Sequence, residues 1–217
     1  MRLRYVEGAT ELINSNPELI INNKDNKVID FKSLFKNSAP VHIEIGMGKG
    51  KFVYELAKLN PNINYIGIER FDSVIVRALE KVIENPLENL MLLRTDAIDL
   101  TTIFKSGSIS RIYLNFSDPW PKPRHVKRRL TNKRFLKMYQ SLIVKDSEIH
   151  FKTDNIDLFE FSVEEITDYP MEITYLTRDL HKSDSENNIM TEFEEKFSKR
   201  GNKINKLIAI FKEDIHG

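Results

Sequence analysis

From residue 41 onward, short apolar runs alternate with longer segments whose apolar residues recur every three or four positions. The short runs predict strands at 41–45, 65–68, 90–93, 109–116, 148–151, 172–176 and 204–211. The amphipathic segments predict helices at 51–59, 73–83, 100–105, 134–143 and 158–166, with Asn60-Pro61 and Asn85-Pro86 stopping the first two. Strands alternating with helices imply an α/β protein, a mostly parallel sheet with helices on both faces. No repeat, low-complexity tract or linker interrupts the pattern, so residues 41–217 read as a single domain. Residues 1–40 lack the alternation and read as an N-terminal extension packed on that domain, with Arg2 and Arg4 at a frayed terminus and a turn at 24–27. About residues 180–200 form a loop without an apolar helix of its own, and loops of that length are usually functional or disordered.

In such a sheet ligands bind at the carboxyl ends of the strands. Five of those ends carry an acid, namely Glu44, Glu69, Asp96 (followed by Ala97), Asp118 and Asp154. The first runs into Glu44-Ile-Gly46-Met-Gly48-Lys-Gly50 ahead of a helix. Glycines there permit a tight turn and close backbone approach to a ligand, and the helix start offers N–H groups to an anion. The dinucleotide fingerprint is G-x-G-x-x-G; here the third glycine comes one residue early and an acid precedes the loop. That disfavours a nicotinamide dehydrogenase. Glu69 is placed to accept hydrogen bonds from a ribose diol, and Asp96 from an adenine amino group. A ligand with an adenosine and an amino acid moiety satisfies the set, its ammonium toward Glu44 and its carboxylate toward the helix start.

Charge sharpens the picture at 115–130, NFSDPWPKPRHVKRRL. After Asp118 the chain turns through Pro119-Trp120-Pro121 and then carries no acid as far as Lys137. The interval holds Lys122, Arg124, Lys127, Arg128, Arg129, Lys133, Arg134 and Lys137, with His125 and Val126 among them. Most charge runs are solvated helix faces, but prolines stiffen this one and an uncompensated cationic block points to a polyanion, here nucleic acid. Residues 154–172 hold seven acids and no Lys or Arg, an acidic counterpart elsewhere in the chain.

Composition adds limits. The 217 residues are 41% hydrophobic and 30% charged with net charge +1, ordinary for a globular protein with a real core. No cysteine is present, which removes disulfides and thiolate metal sites. No apolar run is long enough for a membrane helix, and MRLRYVEGATELI has no signal-peptide core, so a cytoplasmic protein without a membrane partner is expected. Monomer and homodimer are both compatible with the pattern.

E-x-G-x-G-x-G with acids closing strands two and three resembles the class I S-adenosylmethionine-dependent methyltransferases. The segments IEIGMGKG, NFSDPWPKPRHVKRRL, HFKTDN and TEFEEKF are similar to signature segments of the tRNA (guanine-N7-)-methyltransferases, the TrmB type, over about residues 40–212. The resemblance implies a Rossmann-like fold, with seven strands, mostly parallel, and an antiparallel strand at the edge. It implies that Glu44, Gly46, Gly48, Gly50, Glu69, Asp96, Ala97 and Asp118 line an S-adenosylmethionine pocket. It also implies that Lys122, Asp154, Thr191, Glu192, Phe193 and Glu194 hold a guanosine, and that Arg124, His125, Val126, Lys127, Arg128 and Arg129 contact tRNA. The implied product is 7-methylguanosine at position 46 of the variable loop. Two departures stand out: Pro123 where Lys is common, and Phe193 where the family has Tyr.

Several of these residues also have plainer readings. By residue type Glu192 and Glu194 are solvated loop acids, and Asp154 is equally an N-cap of the following helix. Trp120 serves either to pack the turn against the sheet or to stack on a base. His42 and His150, inside apolar strands, read as core histidines, and His125 as a phosphate or solvent contact. Guanine N7 carries a free lone pair, so the reaction needs no base, and neither a metal nor a catalytic histidine is required. Asp118, the candidate catalytic residue, would stabilise positive charge developing on the base.

Overall fold

Branched and aliphatic side chains set the strands of the chain, which divides into two units, Met1–Lys105 and Ser106–Gly217. A computed structural model describes residues 5–21, 27–183 and 188–212. Arg2, Arg4 and most of the expected turn at 24–27 lie outside the described residues.

The first unit runs α1 (Ala9–Asn14), β1 (Ile20–Ile21), α2 (Phe31–Phe35), β2 (Val41–Ile45), α3 (Lys51–Leu59), β3 (Asn64–Glu69), α4 (Asp72–Glu84), β4 (Leu90–Arg94) and α5 (Leu100–Ile103). Its strands lie in the order β1-β4-β3-β2, every pair parallel. Every residue of β2 is buried, as are the first four of β4, the near-continuous apolar run expected of strands covered on both faces. The helices end where the sequence places their stops: the Asn60 side chain donates back to Leu56 O at 2.8 Å just ahead of Pro61. Described residues ahead of β2 pack on this unit. Thr10 of α1 donates to Asp72 of α4 at 3.0 Å, and β1 pairs with β4.

The second unit runs β5 (Ile109–Asn115), α6 (Lys133–Leu142), β6 (Ile143–Thr153), α7 (Ile156–Thr167), β7 (Met171–Thr177), α8 (Glu192–Ser198) and β8 (Asn205–Phe211). Short 3₁₀ helices lie at Pro123–Arg128 and Leu180–Lys182. Its strands lie in the order β5-β6-β8-β7, with β5 and β6 parallel and β8 antiparallel to both neighbours.

Three expectations need correction. The described residues contain eight strands, not seven, because the two residues of β1 are too few to show periodicity. The antiparallel strand is not the edge: β8 lies between β6 and β7, and among the described residues β7 pairs only with β8. The expected loop at 180–200 contains α8, whose only apolar residues, Phe193 and Phe197, give no core-facing stripe to detect.

Gly50 illustrates how tightly the first unit is specified. It sits at φ 74, and a Cβ there would stand 2.8 Å from Ala78 Cβ on α4, so both backbone and packing demand glycine. Gly48, at φ 60, has nothing within 4 Å of the same position. Gly50→Ala should therefore cost roughly 2–5 kcal/mol, combining overpacking with the left-handed backbone. Gly48→Ala should cost only the backbone share, about 1–2 kcal/mol. Urea unfolding of the two variants should separate them in that order; equal costs would show that α4 yields to the added methyl.

Candidate functional site

In the first unit the chain leaves β2 through Gly46, Gly48 and Gly50, at φ 77, 60 and 74, and enters α3. The N–H groups of Gly46 and Met47 both donate to Ile68 O, at 2.9 and 3.0 Å, which pins the loop to the end of β3. Gly67 makes room for this, since a Cβ on it would stand 2.3 Å from Met47 Sδ. Beside Gly46 and Gly48 no atom comes within 4 Å of the Cβ position, so their bareness leaves backbone open to a ligand. Glu44 on β2 is buried, 1% exposed.

Glu69, closing β3, accepts from the N–H groups of Arg70 at 2.8 Å and Phe71 at 3.1 Å. Burial raises its pKa above the ordinary carboxylate value, opposed by hydrogen bonds from the backbone of Phe71, Arg70 and Gly48. A raised folded-state pKa means the stability tied to this group is fully present below its unfolded value and is lost as pH rises through the folded one. An ionised Glu69 is thus a strained group near neutral pH. Asp96 caps the 3₁₀ helix beginning at Ala97 by accepting from Ile98 N at 3.2 Å, and its other oxygen pairs with Arg70 at 2.9 Å. Two partners leave a carboxylate with acceptor capacity to spare. Arg70, which the sequence reading did not single out, also lies 4.4 Å from the centroid of Phe71. These groups fit a ribose-bearing ligand with an anionic end: an acceptor at Glu69, open glycine backbone, and the N-terminus of α3.

In the second unit β5 delivers the chain to Asn115, after which Phe116 and Trp120 take positive φ, 50 and 41. Bulky residues rarely do so, and such strain persists only where surroundings impose it. Arg129 is one such restraint. Its Nε donates to Pro119 O at 2.9 Å and its guanidinium lies 4.4 Å from the Phe161 centroid on α7. Trp120 packs against the 3₁₀ helix, with Arg128 4.9 Å from its centroid and His125 edge-on at 5.5 Å. Asp118, Lys122, Arg124, Lys127 and Arg128 are exposed, while His125 and Val126 are half-buried. None of these four cations has a carboxylate partner among the described residues. A carboxylate of the acidic α7 meets the far end of the cationic segment, where Glu165 accepts from Asn132 Nδ2 at 3.0 Å and from Lys133 N.

At the end of β6 the helix cap is Asn155, whose side chain accepts from Leu158 N at 2.7 Å, so Asp154 is not the N-cap. Asp154 instead accepts from Asn202 at 2.9 Å. The plainer reading of Glu194 as a solvated acid fails as well, because Glu194 is 0% exposed. Its carboxylate meets Lys152 Nζ at 2.7 Å, Asn188 Nδ2 at 2.6 Å and His181 Nε2 at 3.1 Å. Lys152 is 2% exposed and also donates to Ile189 O at 3.0 Å and Asn188 Oδ1 at 3.2 Å. Thr191 caps α8 through Glu194 N at 2.9 Å. Phe193 is exposed, stacks on Phe197 at 4.1 Å and meets a tilted Phe116 at 5.0 Å. Glu192 is half-buried beside it. The sequence reading named Thr191, Glu194 and Asp154 but missed Lys152, whose signal was a lone cation among apolar residues in HFKT.

Among the described residues no group of three His, Asp or Glu is gathered to hold a metal, and no helix is long and apolar enough to cross a membrane.

Comparison with known proteins places the fold in the class of Rossmann-like methyltransferases. The solved 16S rRNA methyltransferase KamB matches with a TM-score of 0.65 at 14% identity, over 86% of this chain and 95% of that one. An antibiotic-related methyltransferase matches with a TM-score of 0.56 at 20% identity, over 86% and 96%. A methyltransferase family model, Methyltransf_4, covers residues 38–207. A protein of Bacillus cytotoxicus named tRNA (guanine-N(7)-)-methyltransferase is 54% identical over 214 residues, 99% of each chain. The chain belongs to the TrmB family of methyltransferases.

The buried ion pair gives a direct test. Lys152→Met leaves the buried Glu194 charge without its ammonium partner, with only Asn188 and His181 beside it, and should destabilise by about 3–5 kcal/mol. Adding Glu194→Gln removes that orphan charge and should recover part of the loss. A double variant no more stable than Lys152→Met would show that lost packing, not the charge, sets the cost.

Proposed function

We propose that this chain transfers a methyl group from S-adenosylmethionine to N7 of guanosine in tRNA, at position 46 of the variable loop. Full-length kinship to the Bacillus cytotoxicus enzyme carries the reading. Because the family model spans most of both units, residues 41–217 act as one catalytic domain with 1–40 as an extension.

When bound, S-adenosylmethionine supplies a methyl group on a positively charged sulfur. Glu69 accepts from the ribose hydroxyls, Asp96 and Ala97 border the adenine, Glu44 attracts the ammonium, and Gly46, Gly48 and Gly50 with the start of α3 receive the carboxylate. The guanine lone pair is already free, so the protein orients rather than deprotonates. Asp118 stabilises the positive charge arriving on the base. Lys122, Asp154 and Thr191 to Glu194 hold the guanosine, with Glu194 acting from the interior by fixing α8. Arg124, His125, Lys127 and Arg128 face the RNA; Arg129 holds the loop that presents them. Val126 completes that surface.

Three measurements check this. Incubation with methyl-labelled cofactor and total tRNA should yield 7-methylguanosine mapping to the variable loop; label at another atom or in another RNA would refute the reading. In single-turnover methylation at saturating cofactor, Asp118→Asn should fold and bind cofactor yet lose about 10²–10³ in rate. Near-normal turnover would leave Asp118 a turn residue. Glu69→Gln should raise the melting temperature of the free protein near pH 7, by removing a carboxylate that burial holds above its ordinary pKa. It should also weaken S-adenosylmethionine binding by roughly 1.5–3 kcal/mol. Unchanged affinity by calorimetry would take Glu69 out of the site.

A further inference from the structure

A second cationic cluster, Lys196, Lys199, Arg200 and Lys203, lies at the end of α8 and beyond it, all four exposed. None has a carboxylate partner among the described residues, and the acids of α8 are confined to its first turn. The cluster adjoins the aromatic row. Lys196 Nζ lies 5.6 Å and the Arg200 guanidinium 5.3 Å from the centroid of Phe197, which stacks on Phe193 and through it reaches Phe116. Favourable placement near a helix C-terminus explains Lys196. It does not explain Lys203, well past that end, nor a phenylalanine left 42% exposed at Phe193. Phe116 holds its ring in the row at φ 50, two residues before Asp118. The row is thus continuous with the loop that carries the candidate catalytic carboxylate.

We propose that this surface is a second RNA contact, resting on the tRNA reading above. Phe197, beside Phe193, stacks an unpaired nucleobase flanking the target guanosine, and Lys199, Arg200 and Lys203 meet the adjoining phosphates. Ring faces accept any base, and cations beside them track the backbone.

The two components leave different signatures. In tRNA-binding titrations across salt, Lys199→Ala/Arg200→Ala should flatten the dependence of log affinity on log salt by about 1.4–1.8, from two lost phosphate contacts. Phe197→Leu keeps an apolar side chain but loses the π face. It should weaken binding by about 5- to 150-fold with the slope retained. Both variants should bind S-adenosylmethionine as wild type does, which verifies folding. Lys32→Ala/Lys58→Ala, which removes two exposed charges from the first unit, serves as control. An unchanged slope in the first variant, an equal flattening in the control, or full affinity in Phe197→Leu would overturn the proposal while wild-type methylation of tRNA stands. Failure of the wild type to methylate tRNA would overturn the functional reading and this surface with it.

Discussion

The candidate substrate segment of the second unit depends on one buried ion pair, Lys152 with Glu194. α8 is a seven-residue helix, too short to be stable alone and with Phe193 facing solvent. Apolar burial cannot hold such an element in one place. A charge pair can, because either partner left alone in the interior is far costlier than the two together. The three donors of Lys152 reach Glu194, Asn188 and Ile189, so one ammonium fixes both the helix and the chain leading into it. Asn202 then ties the chain beyond α8 to Asp154, two residues from Lys152. What the pair supplies is placement: Thr191, Phe193 and Asp154 come to share one end of β6.

The five strand-end acids show how environment divides one chemistry into several. Glu44 is buried within β2, Glu69 is pushed toward its neutral form by burial, and Asp96 is committed to a cap and to Arg70. Asp154 accepts from an amide, and Asp118 alone is exposed. A carboxylate meant to meet an incoming base belongs where solvent reaches it. One meant to orient a ribose gains from a site that burial keeps rigid.

Much of this was legible in the sequence. Strands 41–45 and 90–93, the helix stops at Asn-Pro and the glycine loop follow from local rules, and the structure honours them within a residue or two. What stayed hidden was non-local. β1 exists only because β4 offers it a partner. The position of β8 between β6 and β7 is a pairing choice that no periodicity encodes. Glu194 looks like any solvent-facing glutamate until Lys152, 42 residues earlier, is seen against it. Arg129 sits in a run of cations and was grouped with them, yet its guanidinium braces the turn at Pro119 and covers Phe161.

Net charge also misleads until partners are assigned. The chain is nearly neutral overall, at +1. Several of its acids are answered from within: Glu160 by Arg178, Glu148 by Arg111, Asp72 by Arg94, Asp96 by Arg70 and Glu194 by Lys152. Glu165 is absorbed by the start of α6. The cations of Pro123–Arg128 and those following α8 have no such partners among the described residues. Clustering along the sequence, with no acid between Pro119 and Lys137, therefore leaves a local excess of one sign that pairing does not cancel. A polyanion responds to that local excess within a Debye length, about 8–10 Å at ordinary salt, and not to the average. A nearly neutral protein can thus present a locally positive surface, set by where its unpaired cations cluster rather than by its total charge.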